Sequence, residues 1–182
     1  MKEAIKIISV LTGVCVICAF LLAFVYKSAN KKIQENAQAK VKTAITNLVP
    51  EAVKVSEEKI GEEVVYKLFD KNQTLIGYAF GANGQGYQGK ISMLVATGTT
   101  LDSLKGIEVI DSLETPGLGA KINENSFKDQ FKGLGISEAI KLTKESASEG
   151  QVQAITGATV SSRAVVNILN AKITLIKEAL GK

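Results

Sequence analysis

Glu63–Gly81, EVVYKLFDKNQTLIGYAFG, decides what kind of domain this chain builds. Val64, Val65, Tyr66, Leu68 and Phe69 suit a strand, Asp70-Lys-Asn-Gln73 carries turn chemistry, and Thr74 to Gly81 is again rich in β-branched and aromatic residues. The pattern predicts a β-hairpin. Upstream the period is different. From Ser28 to Leu48, Ile33, Ala37, Val41, Ala44, Ile45 and Leu48 recur at helical spacing with lysines and glutamines between them, and Pro50 ends the run. The change of period near Val53 marks the passage from a stalk-like helix into a domain that contains a sheet.

Before the stalk, Ile7 to Tyr26 (IISVLTGVCVICAFLLAFVY) is free of charge. Twenty residues at about 1.5 Å each span the ~30 Å hydrocarbon core of a bilayer. A cleaved signal peptide has an apolar region of about 7 to 15 residues and a small-x-small cleavage site, and this segment fits neither. Val14 and Ile17, preceding Cys15 and Cys18, also argue against a lipoprotein cysteine. The segment is therefore expected to be an uncleaved transmembrane helix. Cys15 and Cys18 are the only cysteines and fall inside it, where their CxxC spacing reads as packing in lipid rather than redox chemistry. Ser9, Thr12 and Gly13 are the small or hydroxylated residues that favour close helix contacts there. Lys2 and Lys6 on one side face Lys27, Lys31, Lys32, Lys40 and Lys42 on the other, so a positive-inside count keeps the large domain in the cytoplasm. That rule is weak for large C-terminal domains.

Downstream of the hairpin, GANGQGYQG (Gly81 to Gly89) reads as a glycine-rich loop, and KISMLVATG (Lys90 to Gly98) and LKGIEVIDS (Leu104 to Ser112) as two further strands. Together they predict a twisted antiparallel sheet with one well-buried face. Past Leu113 the chain is irregular, with ETPGLGAKI (Glu114 to Ile122) and short helices around Ser126 to Phe131 and Ser137 to Leu142. A long final helix follows, Ser162 to Leu180, with Val165, Val166, Ile168, Leu169, Ile173, Ile176 and Leu180 on one face and Gly181 as its stop. The fold class is α+β. Residues 1–26 are the membrane anchor, with the transmembrane helix at 7–26; residues 27–50 are the stalk helix; residues 51–182 are one domain with a twisted antiparallel sheet and flanking helices.

Composition excludes several functions. The net charge of +4, from 22 basic and 18 acidic residues, is spread along the chain, and four Tyr, six Phe and no Trp give little to stack bases on. Nucleic acid is not an expected partner. With no histidine, the commonest general base and metal ligand are missing, and no catalytic residue and no metal site are assigned. A P-loop is disfavoured because no Lys-Ser/Thr pair follows Gly157 at the required spacing.

What stands out is AITGATVSSR (Ala154 to Arg163), where Thr156, Thr159, Ser161 and Ser162 crowd the entrance of the last helix. A helix N-terminus presents free N–H groups and partial positive charge, so these hydroxyls suit either a phosphate site, with Arg163 as an added cation, or an ordinary capped helix. Local chemistry leaves both open.

Three segments together carry a more specific likeness. TGATVSS (Thr156 to Ser162), ETPGLG (Glu114 to Gly119) and GYQGKI (Gly86 to Ile91), behind one transmembrane helix and a stalk, resemble the FMN-binding domain shared by two proteins. These are the G subunit of the Rnf electron-transport complex and the C subunit of the sodium-translocating NADH:quinone reductase. The resemblance covers nearly the whole chain, and the compact length favours the Rnf protein. It implies that FMN is covalently joined, through its phosphate, to the Thr159 hydroxyl as a phosphodiester, with Thr156, Gly157, Ala158, Ser161 and Ser162 around it. It implies that Glu114, Thr115, Pro116, Gly117, Leu118 and Gly119 lie by the isoalloxazine, with Thr115, Leu118 and Gly119 as ring neighbours and Glu114 as a polar neighbour. Flavinylated proteins of this type often carry Asp six residues before the modified threonine, where this chain has Gln153. Attachment is implied to need a separate flavin transferase that uses FAD and Mg²⁺.

The implied function is that of a membrane-anchored flavoprotein electron carrier within a ferredoxin:NAD⁺ oxidoreductase coupled to Na⁺ or H⁺ translocation. Such a subunit performs no complete reaction alone. Its partners are the other membrane, iron–sulfur and flavin subunits of the complex, and its domain lies on the extracytoplasmic side of the cell membrane, against the lysine count. The alternatives are the quinone reductase C subunit and a membrane-tethered FMN-binding or sensory module without redox turnover.

Overall fold

The computed structural model describes residues 2–61 and 63–181, without the side chains of Ser28 and Lys31. The outer ends of the expected anchor and domain, Met1 and Lys182, and the Lys31 charge lie outside the described residues. The chain forms two compact units, Met1–Lys40 and Val41–Lys182. The first unit is the larger part of helix α1, Lys2–Leu48. Ile7, Leu11, Val14, Phe20, Leu22 and Phe24 are each more than half exposed on it. A helix apolar on all sides with no protein around it suits lipid rather than water. Among the described residues it is the one helix long and apolar enough to cross a membrane.

The second unit holds an antiparallel meander of five strands in sequence order: β1 Lys54–Ile60, β2 Glu63–Phe69, β3 Leu75–Gln85, β4 Lys90–Thr97 and β5 Leu104–Ser112. β2 and β3 are the expected hairpin, paired Val65 to Phe80 and Lys67 to Tyr78. The Asp70 carboxylate closes the turn by accepting from the N–H groups of Asn72 at 2.8 Å and Thr74 at 2.9 Å. β1 has no counterpart among the expected elements. Its sequence, KVSEEKI, is mostly exposed and charged, which suits an edge strand but hides the strand signal.

Both faces of the sheet are buried, where the sequence predicts one. On the first face Val65, Phe80, Ala82, Ile91, Met93, Val95 and Ile107 pack with Val165, Val166, Leu169, Ile173 and Ile176 of helix α3 (Thr159–Leu180), and with Phe127 and Phe131. On the second, Leu68, Ala79, Leu94 and Ala96 meet Ala44, Ile45 and Val49. The reason is legible in β4, whose Met93-Leu-Val-Ala96 run is continuously apolar rather than alternating. The compact unit thus begins at Val41 and includes the last turns of α1.

Two other elements depart from the sequence reading. Most of the glycine-rich segment continues β3, paired from Gly81 with Leu94 to Gln85 with Lys90; the loop is limited to Gly86–Gly89, closed by a Gly86 N–H to Gly89 carbonyl bond of 2.8 Å. Glycine is needed at 84 because α3 lies across the strand, and a Cβ there would overlap the Ile168 side chain. No helix forms at 137–142. Instead β6, Lys141–Thr143, pairs in parallel with β7, Gln151–Gln153, and Asn170 of α3 clamps the Ile140 backbone through two bonds of 2.9 Å. The other expected short helix is present as α2, Asn125–Lys128, continued by a 3-10 turn at Asp129–Phe131.

Candidate functional site

Three chain segments converge on one cleft of about 440 Å³, a size ordinary for a small-molecule or cofactor site. They are the Gly86–Gly89 loop, the segment Glu114–Gly119 after β5, and the entrance of α3. Gly157 turns the chain into the helix at φ +81°, a left-handed conformation that a side-chain-bearing residue adopts only under strain. Ala158, at φ −135° and ψ 36°, is the cap residue, and no side chain caps the helix. Thr159 therefore opens the helix three residues earlier than the sequence suggested. Among the described residues, no protein acceptor takes the N–H groups of Thr159, Val160 and Ser161, whereas Ser162 N–H already reaches the Ala158 carbonyl at 3.0 Å.

The four hydroxyls have separate tasks. The fully buried Ser162 accepts from Ile155 N–H at 3.0 Å and donates to the Ala158 carbonyl at 3.0 Å, so it secures the helix entrance and is occupied there. Ser161 donates to Glu114 Oε2 at 2.5 Å. Thr156 is exposed and lines a neighbouring hollow with Gln130 and Gln153. Thr159, partly buried, lines the cleft itself.

Glu114 holds the cleft walls together. The residue is 5% exposed, and its carboxylate accepts from Ser161 through Oε2 and from Gln88 N–H at 3.0 Å through Oε1. A Cβ on Gly86 or on Gly119 would overlap these oxygens, so both glycines make room for the carboxylate. Burial pushes the Glu114 pKa up, but hydrogen bonds from Ser161 and from the backbone of Gln88, Tyr87 and Gly89 outweigh it and hold the group below the usual carboxylate range. Thr115 ties the same segments at the surface by donating to Gln88 Oε1 at 2.5 Å.

The residues expected from sequence divide accordingly. The structure brings Glu114, Thr115, Leu118, Gly119, Gly157, Ala158, Thr159 and Ser161 to the cleft lining, and leaves Pro116, Gly117, Thr156 and Ser162 outside it. Tyr87 and Val160 line it and were missed; they are 69% and 57% exposed, and with Leu118 at 50% they form an apolar rim. An aromatic residue flanked by glycines in a loop, Gly86-Tyr-Gln-Gly89, was the signal for the first. Arg163 is exposed and outside the lining. Gln153 is held by its backbone: its N–H donates to Gln130 Oε1 at 2.7 Å and its carbonyl accepts from Gln130 Nε2 at 3.3 Å.

Comparison with known proteins gives this geometry a context. The FMN-binding domain family matches residues 86–174, a span that contains all three cleft segments. The G subunit of the ion-translocating oxidoreductase complex of Methanosarcina acetivorans is 32% identical over 99% of this chain and 98% of its own. The G subunit of the proton-translocating ferredoxin:NAD(+) oxidoreductase complex of Clostridium ljungdahlii is 32% identical over 85% of this chain and 82% of its own. Among solved structures, that of Shewanella oneidensis NqrC is similar with a TM-score of 0.58 at 25% identity, over 68% of this chain and 66% of that one.

Proposed function

Since the chain belongs to the family of G subunits of ion-translocating oxidoreductase complexes, we propose that it is the membrane-anchored flavin electron carrier of such a complex. FMN sits in the 440 Å³ cleft and is joined through its phosphate to the Thr159 hydroxyl. The observation that carries this reading is the position of Thr159. Its hydroxyl belongs to the first residue of α3, in a cleft where the amides of Thr159, Val160 and Ser161 have no protein acceptor among the described residues. Unclaimed amides at the positive end of a 22-residue helix suit the single negative charge of a phosphodiester. The rim of Tyr87, Leu118 and Val160 suits a flat aromatic ring, and Thr115 and Gly119 line the same cleft.

The flavin, when bound, supplies one- and two-electron chemistry through its own ring. The chain's residues bind, orient and shield. Thr159 would hold the flavin phosphate as an ester, giving up its hydroxyl proton in a transfer from FAD that releases AMP and is carried out by a separate, Mg²⁺-dependent flavin transferase. Ser162 and Gly157 hold the helix entrance in shape for that encounter, while Ser161 and Glu114 brace its first turn against the opposite wall.

α1 anchors the carrier in the cell membrane, and its domain lies on the extracytoplasmic side, where a covalent link keeps the flavin from being lost. In the complex the carrier would serve between the flavin and iron–sulfur subunits, whose electron flow would be coupled to Na⁺ or H⁺ translocation. A role as quinone reductase C subunit is the second reading, favoured by the likeness to NqrC; the near end-to-end match with the Methanosarcina acetivorans protein, 98% of its length, favours the first. The test is complementation. Membranes of a strain whose own subunit is replaced by Thr159→Ala are expected to lose ferredoxin-dependent NAD⁺ reduction while the subunit stays in the complex. Undiminished electron transfer with that variant would overturn the proposal.

A further inference from the structure

Among the described residues, the cleft lined by Thr159 contains a single charged side chain, and it is an anion. That anion is Glu114, and no lysine or arginine belongs to the lining. The one arginine of the chain, Arg163, lies four residues beyond Thr159 in α3 and is exposed. The Glu114 carboxylate cannot move away. The residue is 5% exposed, held through Oε2 by the Ser161 hydroxyl at 2.5 Å and through Oε1 by the Gln88 amide at 3.0 Å, in a space kept open by Gly86 and Gly119.

We infer that Glu114 is the residue that sets the electron affinity of the bound flavin: a fixed negative charge in the wall of its cleft that lowers the flavin's reduction potential. This rests on the reading that places FMN in this cleft on Thr159. Reduction adds electrons to the ring, a fixed anion within the same cleft opposes that, and no cationic side chain of the lining offsets it, the positive end of α3 being taken up by the phosphodiester. The bonds to Ser161 and Gln88 keep the charge ionised and in place, so it acts as a permanent field rather than as a proton donor. The carrier is thereby a stronger reductant than it would be without the carboxylate.

The test uses the full chain, loaded by a flavin transferase, with its flavin mapped by peptide mass and titrated spectroelectrochemically at neutral pH. Glu114→Gln removes the charge, keeps Oε1 as the acceptor for the Gln88 amide and offers Nε2 as a donor to the Ser161 hydroxyl, which then accepts; its midpoint potential is expected to rise above that of the wild type. Ser161→Ala keeps the charge and is expected not to raise it, which separates the field from the bracing role. A Glu114→Gln potential equal to the wild type's, with flavin on Thr159 in both, overturns this inference and leaves the attachment reading standing. Flavin mapped elsewhere in the wild type overturns both. If Glu114→Gln does not load, Val160→Lys decides: Val160 is 57% exposed on the cleft lining, so a cation there is tolerated and offsets the carboxylate. Its potential is expected to rise relative to Val160→Gln, and equal potentials overturn the inference.

Discussion

Thr159 makes no capping hydrogen bond and is only partly buried, so its side chain is not needed for the fold. Thr159→Ala is expected to change stability by no more than about 0.5 kcal/mol while removing all covalent flavin, as read by thermal melting and by flavin fluorescence of the denatured chain. Glu114 behaves oppositely, because its pKa is lowered by the bonds that hold it. A carboxylate with a lowered folded pKa contributes stability that is complete above its unfolded value near pH ~4.3 and is lost as pH falls through the folded value. Urea midpoints measured from pH 7 downward should therefore drop more steeply below about pH 4 for the wild type than for Glu114→Gln. Parallel curves would show that the carboxylate has no such role. Ser162, fully buried with both bonds made inside the helix entrance, should tolerate Ala poorly, since the Ile155 amide would lose its acceptor at a cost of about 1–3 kcal/mol.

At the scale of elements, what the sequence showed and what it hid follow one rule. Segments with a single dominant period were legible: the hairpin of β2 and β3, the apolar face of α3 from Val165 to Ile176, and its stop at Gly181, which takes φ 65°. Segments whose shape depends on a distant partner were not. Gly81–Gln85 has loop composition but is a strand because α3 crosses Gly84, and 137–142 is drawn into an extended path by Asn170. Within the cleft, the motifs announced Glu114 and Thr159, but nothing local told that Ser161 would serve Glu114 or that Tyr87 would line the far wall. The end of α1 is a further case, because an amphipathic stripe does not reveal which surface it covers. Ile45, 3% exposed, packs in the cluster of Leu68, Ala79, Leu94 and Ala96. Ile45→Ala should cost about 2–4 kcal/mol, visible in the urea midpoint of a fragment starting at Val41. A fragment starting at Val53 should expose that face and aggregate, and one that stayed soluble with an unchanged midpoint would contradict the packing.

The whole molecule joins a lipid-suited helix to a domain in which the Thr159 end of α3 opens into a cleft. The lysine count at the two ends of the span disagrees with the proposed extracytoplasmic side. Protease added to intact cells is expected to remove a tag at the C-terminus, and full protection would place the domain on the other side. Whether Thr159 carries the flavin is decided by expressing the chain with an active flavin transferase and mapping the product by intact mass and peptide sequencing. The expected result is a single FMN-phosphoryl addition on Thr159. An unmodified chain beside a modified control substrate, or an addition on Thr156, Ser161 or Ser162 instead, would contradict it.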